Sequence, residues 1–537
     1  MGRGLSLSKI KEEVPNLRTN GWILDDGVLA GLMNDVTEAM EILVKEGPAR
    51  GLQLSTERSV AVAGSSKCRV WSTSRTLGDD PLGLGVLQVK EDGFVHLGAP
   101  VGSPAFIQAK VGERVSKVAQ LLENLHTLQN PNAEFVLLRS CFSLPKVSYL
   151  ARTCPTSPSS LNLWESFDGL IRDSTNRILG TSLSDNSWLQ AQMAVVKGGL
   201  GLRSALRHAS AAFLASWSSC QALIEQLAPT LDLSVISTAE AREHLSRVLN
   251  YEEILPEEVV SGLTQKELSL RIDTNDLKNL VEYVASTRDK ARLLSVQLPH
   301  AGDWLNVIPS SSLGLQLRAP EFRASVLYRL GMPIFPSDGA CVACGLPSDK
   351  FGDHAVGCAS QGERIARHNH LRDALYHTAA SAHLAPLREE RALLPGAGDR
   401  PADVLIPHFA AGGRHMAVDV CVVSSLQAQL VDGAATEPGH ALTYRYHQKW
   451  TKYSEACAAE GVCFQPLPFE VLGGVHDAAV GVIKKLGQAL ARSGGLDENE
   501  TVRHLFGRLS ILLMRGNAAL VLSRTVNHPH PRISGEQ

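Results

Sequence analysis

The stretch HMAVDVCVVSS, residues 415–425, places one aspartate, Asp419, in the middle of an apolar run. A short run rich in valine is typical of a strand that is buried in a sheet. A carboxylate at such a position is costly unless it is paired with a charge or bound to a metal ion. Asp419 therefore predicts a buried strand with a cation beside it.

A second aspartate precedes another apolar run. The stretch GDRPADVLIPHF, residues 398–409, places Asp403 at the start of a predicted strand. Sixteen residues separate Asp403 from Asp419, which is enough for two adjacent strands and a turn through residues 411–413. Side chains at neighbouring strand positions can then converge on one Mg²⁺ or Mn²⁺.

A basic helix is predicted after these strands. The stretch YRYHQKWTKYSEA, residues 444–456, carries Lys449 and Lys452. A lysine beside a metal–carboxylate pair can orient water and stabilise charge on a phosphate. The surrounding pattern predicts a compact α/β domain with helices at 361–384 and 440–460, strands at 388–394, 402–408, 415–424 and 462–472, and a final helix at 500–525.

A cysteine-rich segment precedes this domain. CVACGLPSDKFGDHAVGC, residues 341–358, has the spacing C-x2-C-x9-H-x3-C. Three thiolates and one imidazole complete a tetrahedral site, so the segment predicts a structural Zn²⁺. The expected ligands are Cys341, Cys344, His354 and Cys358. Asp353 or His370 as a replacement ligand, and three buried thiols without a metal, remain the alternatives.

Paired carboxylates also occur near the start of the chain. NGWILDDGVLAG, residues 20–31, places Asp25 and Asp26 between apolar residues, and Asp-Gly in that setting indicates a hairpin. A divalent metal would cancel the repulsion between two neighbouring carboxylates. A surface turn without chemistry is the alternative. The segment that follows, residues 28–46, has helical spacing and is closed by Gly47 and Pro48.

Composition limits the class of protein. The chain has 537 residues, 44% of them hydrophobic and 20% charged, so more than one folded domain is expected. A net charge of −3 is a weak argument against a dedicated nucleic-acid binder. We expect no signal peptide, no membrane span and a reducing compartment. MGRGLS matches the short N-myristoylation pattern, which often occurs by chance.

The N-terminal half resembles part of a polymerase. WILDDG is similar to the Asp-Asp hairpin of reverse transcriptases, and GLQLSTERSV (51–60) and VHLGAPVGS (95–103) follow in the order of the next motifs. Ser55 and Arg58 stand where many relatives carry Asn and Lys. Residues 137–155 and 188–209 resemble the thumb of non-LTR retrotransposon reverse transcriptases. Basic residues there are expected to contact phosphates, unless they are solvated charges: Arg139, Lys146, Arg152, Lys197, Arg203 and Arg207.

The resemblance implies that Asp25 and Asp26 are polymerase catalytic residues. A polymerase also needs a metal-binding aspartate from an earlier strand, and residues 1–24 contain none. We therefore expect a truncated palm without fingers and an inactive polymerase half in the chain as given.

The C-terminal half resembles the PD-(D/E)xK nuclease fold, as found in the restriction-like endonucleases of certain non-LTR retrotransposons. Ala402 is inserted into the usual Pro-Asp, and Cys421 stands where the motif has its lysine. In that family the lysine comes from the following helix, which implies Lys449 first and Lys452 second. An Arg-His-Asn run, also present in the family, recurs at residues 367–369. Further acids are implied, with a plain surface charge as the alternative for each: Glu389, Glu390 and Glu470.

Together these patterns predict a multidomain α+β and α/β protein. The expected segments are a partial palm (1–105), a thumb-like helical region (106–230), a helical linker (231–335), a CCHC zinc knuckle (336–360), a restriction-like endonuclease (361–500) and a C-terminal helix and tail (501–537). The resemblance implies Mg²⁺-assisted nicking of target DNA for target-primed reverse transcription, with DNA and element RNA as partners, in the nucleus. The alternatives are a nucleic-acid-binding remnant without catalysis, and an α/β enzyme outside nucleic-acid chemistry.

Overall fold

The computed structural model describes residues 2–23, 26–50, 69–71, 88–90, 92–227, 232–233, 237–389 and 401–524. Asp25, Glu390, Ser55 and Arg58, and the whole stretch GLQLSTERSV (51–60), lie outside these ranges. The backbone of Asp26 is described within a strand, but its side chain is not.

Short strands and long helices alternate in the first part of the chain. In chain order the elements are α1 (Gly2–Glu13), β1 (Thr19–Ile23), β2 (Asp26–Ala30), α2 (Met33–Glu46), β3 (Arg69–Trp71), β4 (Gln88–Lys90), β5 (Gly93–His96), β6 (Ala99–Gly102), α3 (Pro104–Leu125), α4 (Pro131–Leu137), α5 (Leu144–Thr153), α6 (Pro158–Leu179), α7 (Asp185–Gln192) and α8 (Ala205–Leu227). Strands β1 and β2 form an antiparallel hairpin, as the Asp-Gly signal predicts. The predicted helix at 28–46 begins only at Met33, because β2 continues to Ala30.

Helices continue through the predicted linker. They are α9 (Ala239–Val248), α10 (Glu257–Val260), α11 (Gln265–Tyr283), α12 (Thr287–Ser295), α13 (Asp303–Asn306) and α14 (Ala319–Leu330). The helical character predicted for 106–230 and 231–335 is therefore confirmed for the described residues.

The last part of the chain mixes strands and helices. The elements are β7 (Gly339–Ala340), β8 (Pro347–Ser348), α15 (Asp353–Gly357), α16 (Glu363–Ser381), β9 (Leu387–Arg388), β10 (Val404–Ile406), β11 (His415–Val423), α17 (Val431–Ala434), α18 (His440–Ala459), β12 (Val462–Glu470), α19 (Asp477–Gly494) and α20 (Glu498–Leu522). The predicted order of helices and strands is confirmed, but α19 was not predicted. At the level of fold class, the chain is a mainly helical α+β protein with small sheets.

The chain folds into two compact units that each draw on several of the predicted segments. Unit 1 comprises Met1–Ala119, Pro145–Asp168 and Ala205–Ile272, and unit 2 comprises Gln120–Leu144, Gly169–Ser204 and Asp273–Gln537. In unit 1, apolar side chains cluster between α1 and α2 and between α8, α9 and α11. Unit 2 contains the cysteine-rich segment and the predicted nuclease domain.

A four-stranded mixed sheet organises the end of unit 2. Its order is β12-β11-β10-β9, with β11 and β12 parallel and the other neighbours antiparallel. Strand β11 is buried almost throughout, as its run of valines predicts. Helix α18 connects β11 to β12 and packs on the sheet through Tyr453 and Cys457, against Phe464 of β12.

Helix α20 is long and apolar enough to cross a membrane by length and composition alone. In unit 2, however, 72% of its most apolar window is buried. It packs against α14, α16 and α19. Its apolar character is therefore accounted for by its place in the core of unit 2.

Candidate active site and cysteine cluster

Four side chains of the cysteine-rich segment meet at one point. One ligand atom from each lies within 4.8 Å of all the others: Cys341, Cys344, His354 and Cys358. The Cys341 and Cys358 sulfurs are 4.0 Å apart, and His354 Nε2 lies 3.3 Å from Cys344 Sγ. Soft sulfur and imidazole ligands in this number form a group that could hold a metal ion.

Local structure brings these four ligands together. Strands β7 and β8 form a hairpin, and Gly345, with a φ of 73°, allows the turn after Cys344. Asp349 then caps α15, because its carboxylate accepts from the backbone N–H groups of Asp353 and His354 at 3.0 and 2.7 Å. The cap fixes the start of the short helix that carries His354.

The carboxylate of Asp353, the alternative metal ligand, already binds Arg288. Arg288 Nε and Nη2 donate to its two carboxylate oxygens at 2.7 and 3.0 Å. His370 is not part of the ligand group found among the described residues. Burial raises the pKa of Cys358, but hydrogen bonds from Ser360 and Arg524 outweigh burial and lower that pKa to about 5. A thiolate is the form that binds a metal.

Asp403 and Asp419 lie on adjacent strands of the sheet. Val404, the first residue of β10, pairs with Val418 of β11, and the next step of this register places Asp403 opposite Asp419. The backbone N–H of Val420 donates to Asp403 Oδ2 at 2.7 Å. The Asp403 side chain is thereby held against β11, the strand that carries Asp419.

Asp419 is buried beside one cation. Only 6% of the residue is exposed, and Lys449 Nζ lies 3.0 Å from Asp419 Oδ1. Among the described residues, Asp419 Oδ2 has no hydrogen-bond partner. Burial is the main cause that raises the pKa of Asp419 to about 6, and the charge on Asp403 adds to it, although Lys449 acts in the opposite direction. The site therefore holds more negative charge than Lys449 alone compensates.

Asp419→Asn is expected to stabilise the fold at neutral pH. The folded-state pKa of about 6 exceeds the ordinary 3.8, so the folded protein binds this proton more tightly than the unfolded chain. The stabilisation of the folded protein by this bound proton is fully present below pH 3.8 and is lost as pH rises through 6. The stability of the variant relative to wild type should rise by up to about 3 kcal/mol between pH 4 and pH 8. Urea unfolding at both pH values measures this difference; an equal effect at both would contradict it.

His368, on α16, contacts Asp403 of the acid pair. Its Nε2 lies 3.0 Å from both Asp403 Oδ2 and the carbonyl oxygen of Val420. Burial opposes protonation, but the hydrogen bond to Asp403 outweighs it and raises the pKa of His368. Sequence reasoning placed His368 in the Arg-His-Asn run but assigned it no partner. The run itself was the available signal.

The candidate lysines differ in their surroundings. Lys449 binds Asp419, whereas Lys452 Nζ lies 4.6 Å from the ring centre of Tyr453. Cys421, at the usual lysine position, is buried, and burial raises the pKa of its thiol to about 12. A protonated thiol carries no positive charge, so Lys449 is the cation that this geometry offers to the acid pair.

Two of the glutamate candidates, Glu389 and Glu470, lie at different distances from the acid pair along the sheet. Glu389 lies beside Asp403: its N–H donates to the Asp403 carbonyl at 3.0 Å, and its carboxylate forms an ion pair with Arg372. Glu470 pairs in register with Val423, four residues along β11 from Asp419. The Glu470 carboxylate accepts from Ser425 Oγ at 2.8 Å, and burial raises its pKa to about 7. Glu470 is therefore not brought to the acid pair.

At least three of the six basic residues expected to contact phosphates have partners among the described residues, and in unit 1 Arg207 Nη2 donates to the Val248 carbonyl at 3.4 Å. Arg203 forms an ion pair with the buried Asp273 in unit 2. In unit 1, Arg152 Nε donates to Gln265 at 2.8 Å. The partners of Arg203 and Arg152 favour a structural role for these two side chains.

Fold and site together define an α+β protein with two aspartates on adjacent strands, one of them buried, a lysine from the crossover helix and a separate Cys3His cluster. A scan against models of known protein families and a search of curated proteins both give no match to this chain. The residues and their geometry are therefore the basis for any functional conclusion.

Proposed function

We propose that unit 2 is a metal-dependent DNA endonuclease of the restriction-like type, in a protein related to those of non-LTR retrotransposons. The observation that carries this proposal is the contact of Lys449 with Asp419, opposite Asp403 on the neighbouring strand. Two acids on adjacent strands and a lysine are the groups that phosphodiester hydrolysis needs.

The residues present fit a divalent cation. Carboxylate oxygens are the ligands that Mg²⁺ and Mn²⁺ prefer, and Asp419 Oδ2 is a buried oxygen without a donor among the described residues. Asp403 and Asp419 would hold the ion. When bound, a divalent ion lowers the pKa of water and polarises a phosphate oxygen.

The chain's own side chains orient and balance the charges. Lys449 keeps the Asp419 carboxylate in place and stabilises negative charge that develops on the phosphate. His368 and the Val420 N–H hold Asp403 against β11. The chain's own side chains and backbone therefore position both acids.

The proposal extends to the partners and the Cys3His cluster. Zn²⁺ is the ion that three cysteines and one histidine select, so we assign it a structural role at residues 341–358. DNA is the proposed substrate, element RNA the second partner and the nucleus the compartment. Residues 1–230 are proposed to derive from a polymerase palm and thumb.

Lys449→Ala is expected to reduce DNA nicking by roughly 100- to 1,000-fold, the usual cost of one electrostatic group at a reacting phosphate. Lys452→Ala is the matched control on the same helix and should nick like wild type. The measurement is the conversion of supercoiled plasmid to open circles by the full chain in Mg²⁺ and Mn²⁺.

Two other outcomes would change the assignment. Loss of nicking in Lys452→Ala but not in Lys449→Ala would keep the mechanism and move the lysine along the helix. A wild-type chain that shifts DNA in a gel but does not nick it would favour the non-catalytic remnant.

A further inference from the structure

Three aromatic rings stack beside the proposed nuclease site. Tyr446 of α18 lies between Trp450, one turn further along α18, and His476, at the start of α19. The Tyr446 and His476 ring centres are 4.4 Å apart with an interplanar angle of 6°, and those of Tyr446 and Trp450 are 5.7 Å apart at 15°. We call Trp450, Tyr446 and His476 the α18 ring stack.

One end of the α18 ring stack is anchored. His476 caps α19, because its Nδ1 accepts from the backbone N–H of Ala478 at 3.2 Å. The ring is therefore fixed by the backbone as well as by Tyr446. A stack with an anchored end loses little conformational freedom when another flat ring is added to it.

The other end reaches solvent. Trp450 is 38% exposed, although it is one of the largest apolar side chains on the helix. Parallel aromatic rings favour offset stacking with a further flat ring. The exposed indole therefore offers a surface on which a nucleobase can continue the stack.

The excess of basic residues on α18 favours binding of a polyanion such as nucleic acid. The helix carries Arg445, Lys449 and Lys452 but only one acid, Glu455. Trp450 directly follows Lys449, whose ammonium contacts Asp419. Basic and aromatic residues interleaved along one helix are typical of a surface that binds phosphates and stacks bases.

We propose that the α18 ring stack binds an unpaired base of a DNA strand next to the cleaved phosphodiester bond, an inference that rests on the proposed nuclease function. Only an unpaired base presents a free face to an indole, since the faces of paired bases are covered in the duplex. The target at this site is therefore DNA that is locally single-stranded or opened, such as the junction at the edge of a duplex.

The test is binding of the full chain to a fluorescein-labelled single-stranded DNA oligonucleotide and to its duplex, in buffer without Mg²⁺ or Mn²⁺ so that no cleavage occurs and the Cys3His cluster is left intact. Trp450→Ala should weaken single-strand binding by about 5- to 100-fold, the range found for loss of one stacking side chain. Duplex binding should change little. Trp450→Phe should retain single-strand binding, whereas Trp450→Leu, which keeps an apolar side chain without a ring face, should lose it.

Tyr444→Ala is the matched control, since Tyr444 is an aromatic side chain of α18 that is 51% exposed and lies outside the α18 ring stack. It should bind like wild type. A single strand with 2-aminopurine should show fluorescence quenching with wild type, Trp450→Phe and Tyr444→Ala, but not with Trp450→Ala or Trp450→Leu. Thermal melting of each variant checks that the fold is intact.

Unchanged single-strand binding in Trp450→Ala, or equal losses in Trp450→Leu and Trp450→Phe, would overturn the proposal. Equal, Trp450-dependent binding of RNA of the same sequence would overturn the assignment to DNA. Because binding is measured without Mg²⁺ or Mn²⁺, a failure of the base-binding proposal can be distinguished from a failure of the nuclease proposal. A wild-type chain that does not nick can still show Trp450-dependent binding, and a nicking chain can lack it.

Discussion

Asp419→Asn is expected to lower DNA nicking by the full chain by more than about 100-fold, since even residues that only support a metal ligand cost up to that much. The substitution keeps the size of the side chain but removes its negative charge. That charge holds Lys449 at 3.0 Å and is one of the two that would bind the divalent ion. Plasmid nicking in Mg²⁺ and Mn²⁺ measures the loss.

Glu470→Gln is the matched control for this experiment. Glu470 is also a buried carboxylate of the sheet with a raised pKa, but it is bound by Ser425 and lies on β12 opposite Val423, which is four residues along β11 from Asp419. It should therefore nick like wild type. If Asp419→Asn nicks as well as wild type, the catalytic assignment fails. If Glu470→Gln loses activity with an intact fold, the acid set extends to Glu470.

The combination of activity loss and increased stability would identify Asp419 as a functional residue. A purely structural aspartate that is bound by a lysine loses stability when it is neutralised. Asp419 instead has a raised pKa, because burial and the charge on Asp403 outweigh the effect of Lys449. Strained charge of this kind is common where function requires it.

Periodicity and spacing along the chain predict most of unit 2. The buried run of β11 identifies the central strand, and Asp419 within it identifies the position that needs a cation. The spacing of four ligands identifies the Cys3His cluster, since a metal site needs a fixed number of soft donors close together. These features are local, so a single sequence contains the information.

Contacts that depend on tertiary packing could not be predicted in this way. Glu389 and Glu470 are both acids next to predicted strands, yet Glu389 lies beside Asp403 whereas Glu470 binds Ser425. The pairing of β9 with β10 places Glu389, whereas the register of β11 with β12 places Glu470. The same holds for His368, whose contact with Asp403 depends on how α16 packs against the sheet.

Helix α19 could not be predicted from the sequence for a different reason. Its sequence, DAAVGVIKKLGQALARSG, contains three glycines, which weaken a helix on intrinsic propensity. Burial of Ile483 and Leu486 in unit 2, and the cap by His476, stabilise the helix in the folded protein. Tertiary packing therefore outweighs local propensity in this segment.

The double substitution Cys341→Ser and Cys344→Ser is expected to remove one zinc ion per chain and to unfold the segment 336–360. Structural zinc contributes about 10–16 kcal/mol of apparent binding free energy in small zinc domains, so little else can hold so short a segment. Its only regular structure is the two-residue strands β7 and β8 and the five-residue α15.

Loss of the zinc ion should also disturb the ion pair that Asp353 forms with Arg288. This residue lies on α15 next to His354, and its bidentate ion pair with Arg288 connects the cluster to α12. When the ligands are lost, the largely buried Arg288 loses Asp353 and keeps only Asp289 as a carboxylate partner, which is costly. Metal analysis of the purified full chain should give about one zinc per wild-type chain and none in the variant, as for a closed four-ligand site. Limited proteolysis should cut the variant within 336–360, whereas Cys141→Ser with Cys220→Ser, at two exposed cysteines elsewhere, should match wild type. Zinc retained at one ion per chain in the double variant would show that other residues bind it.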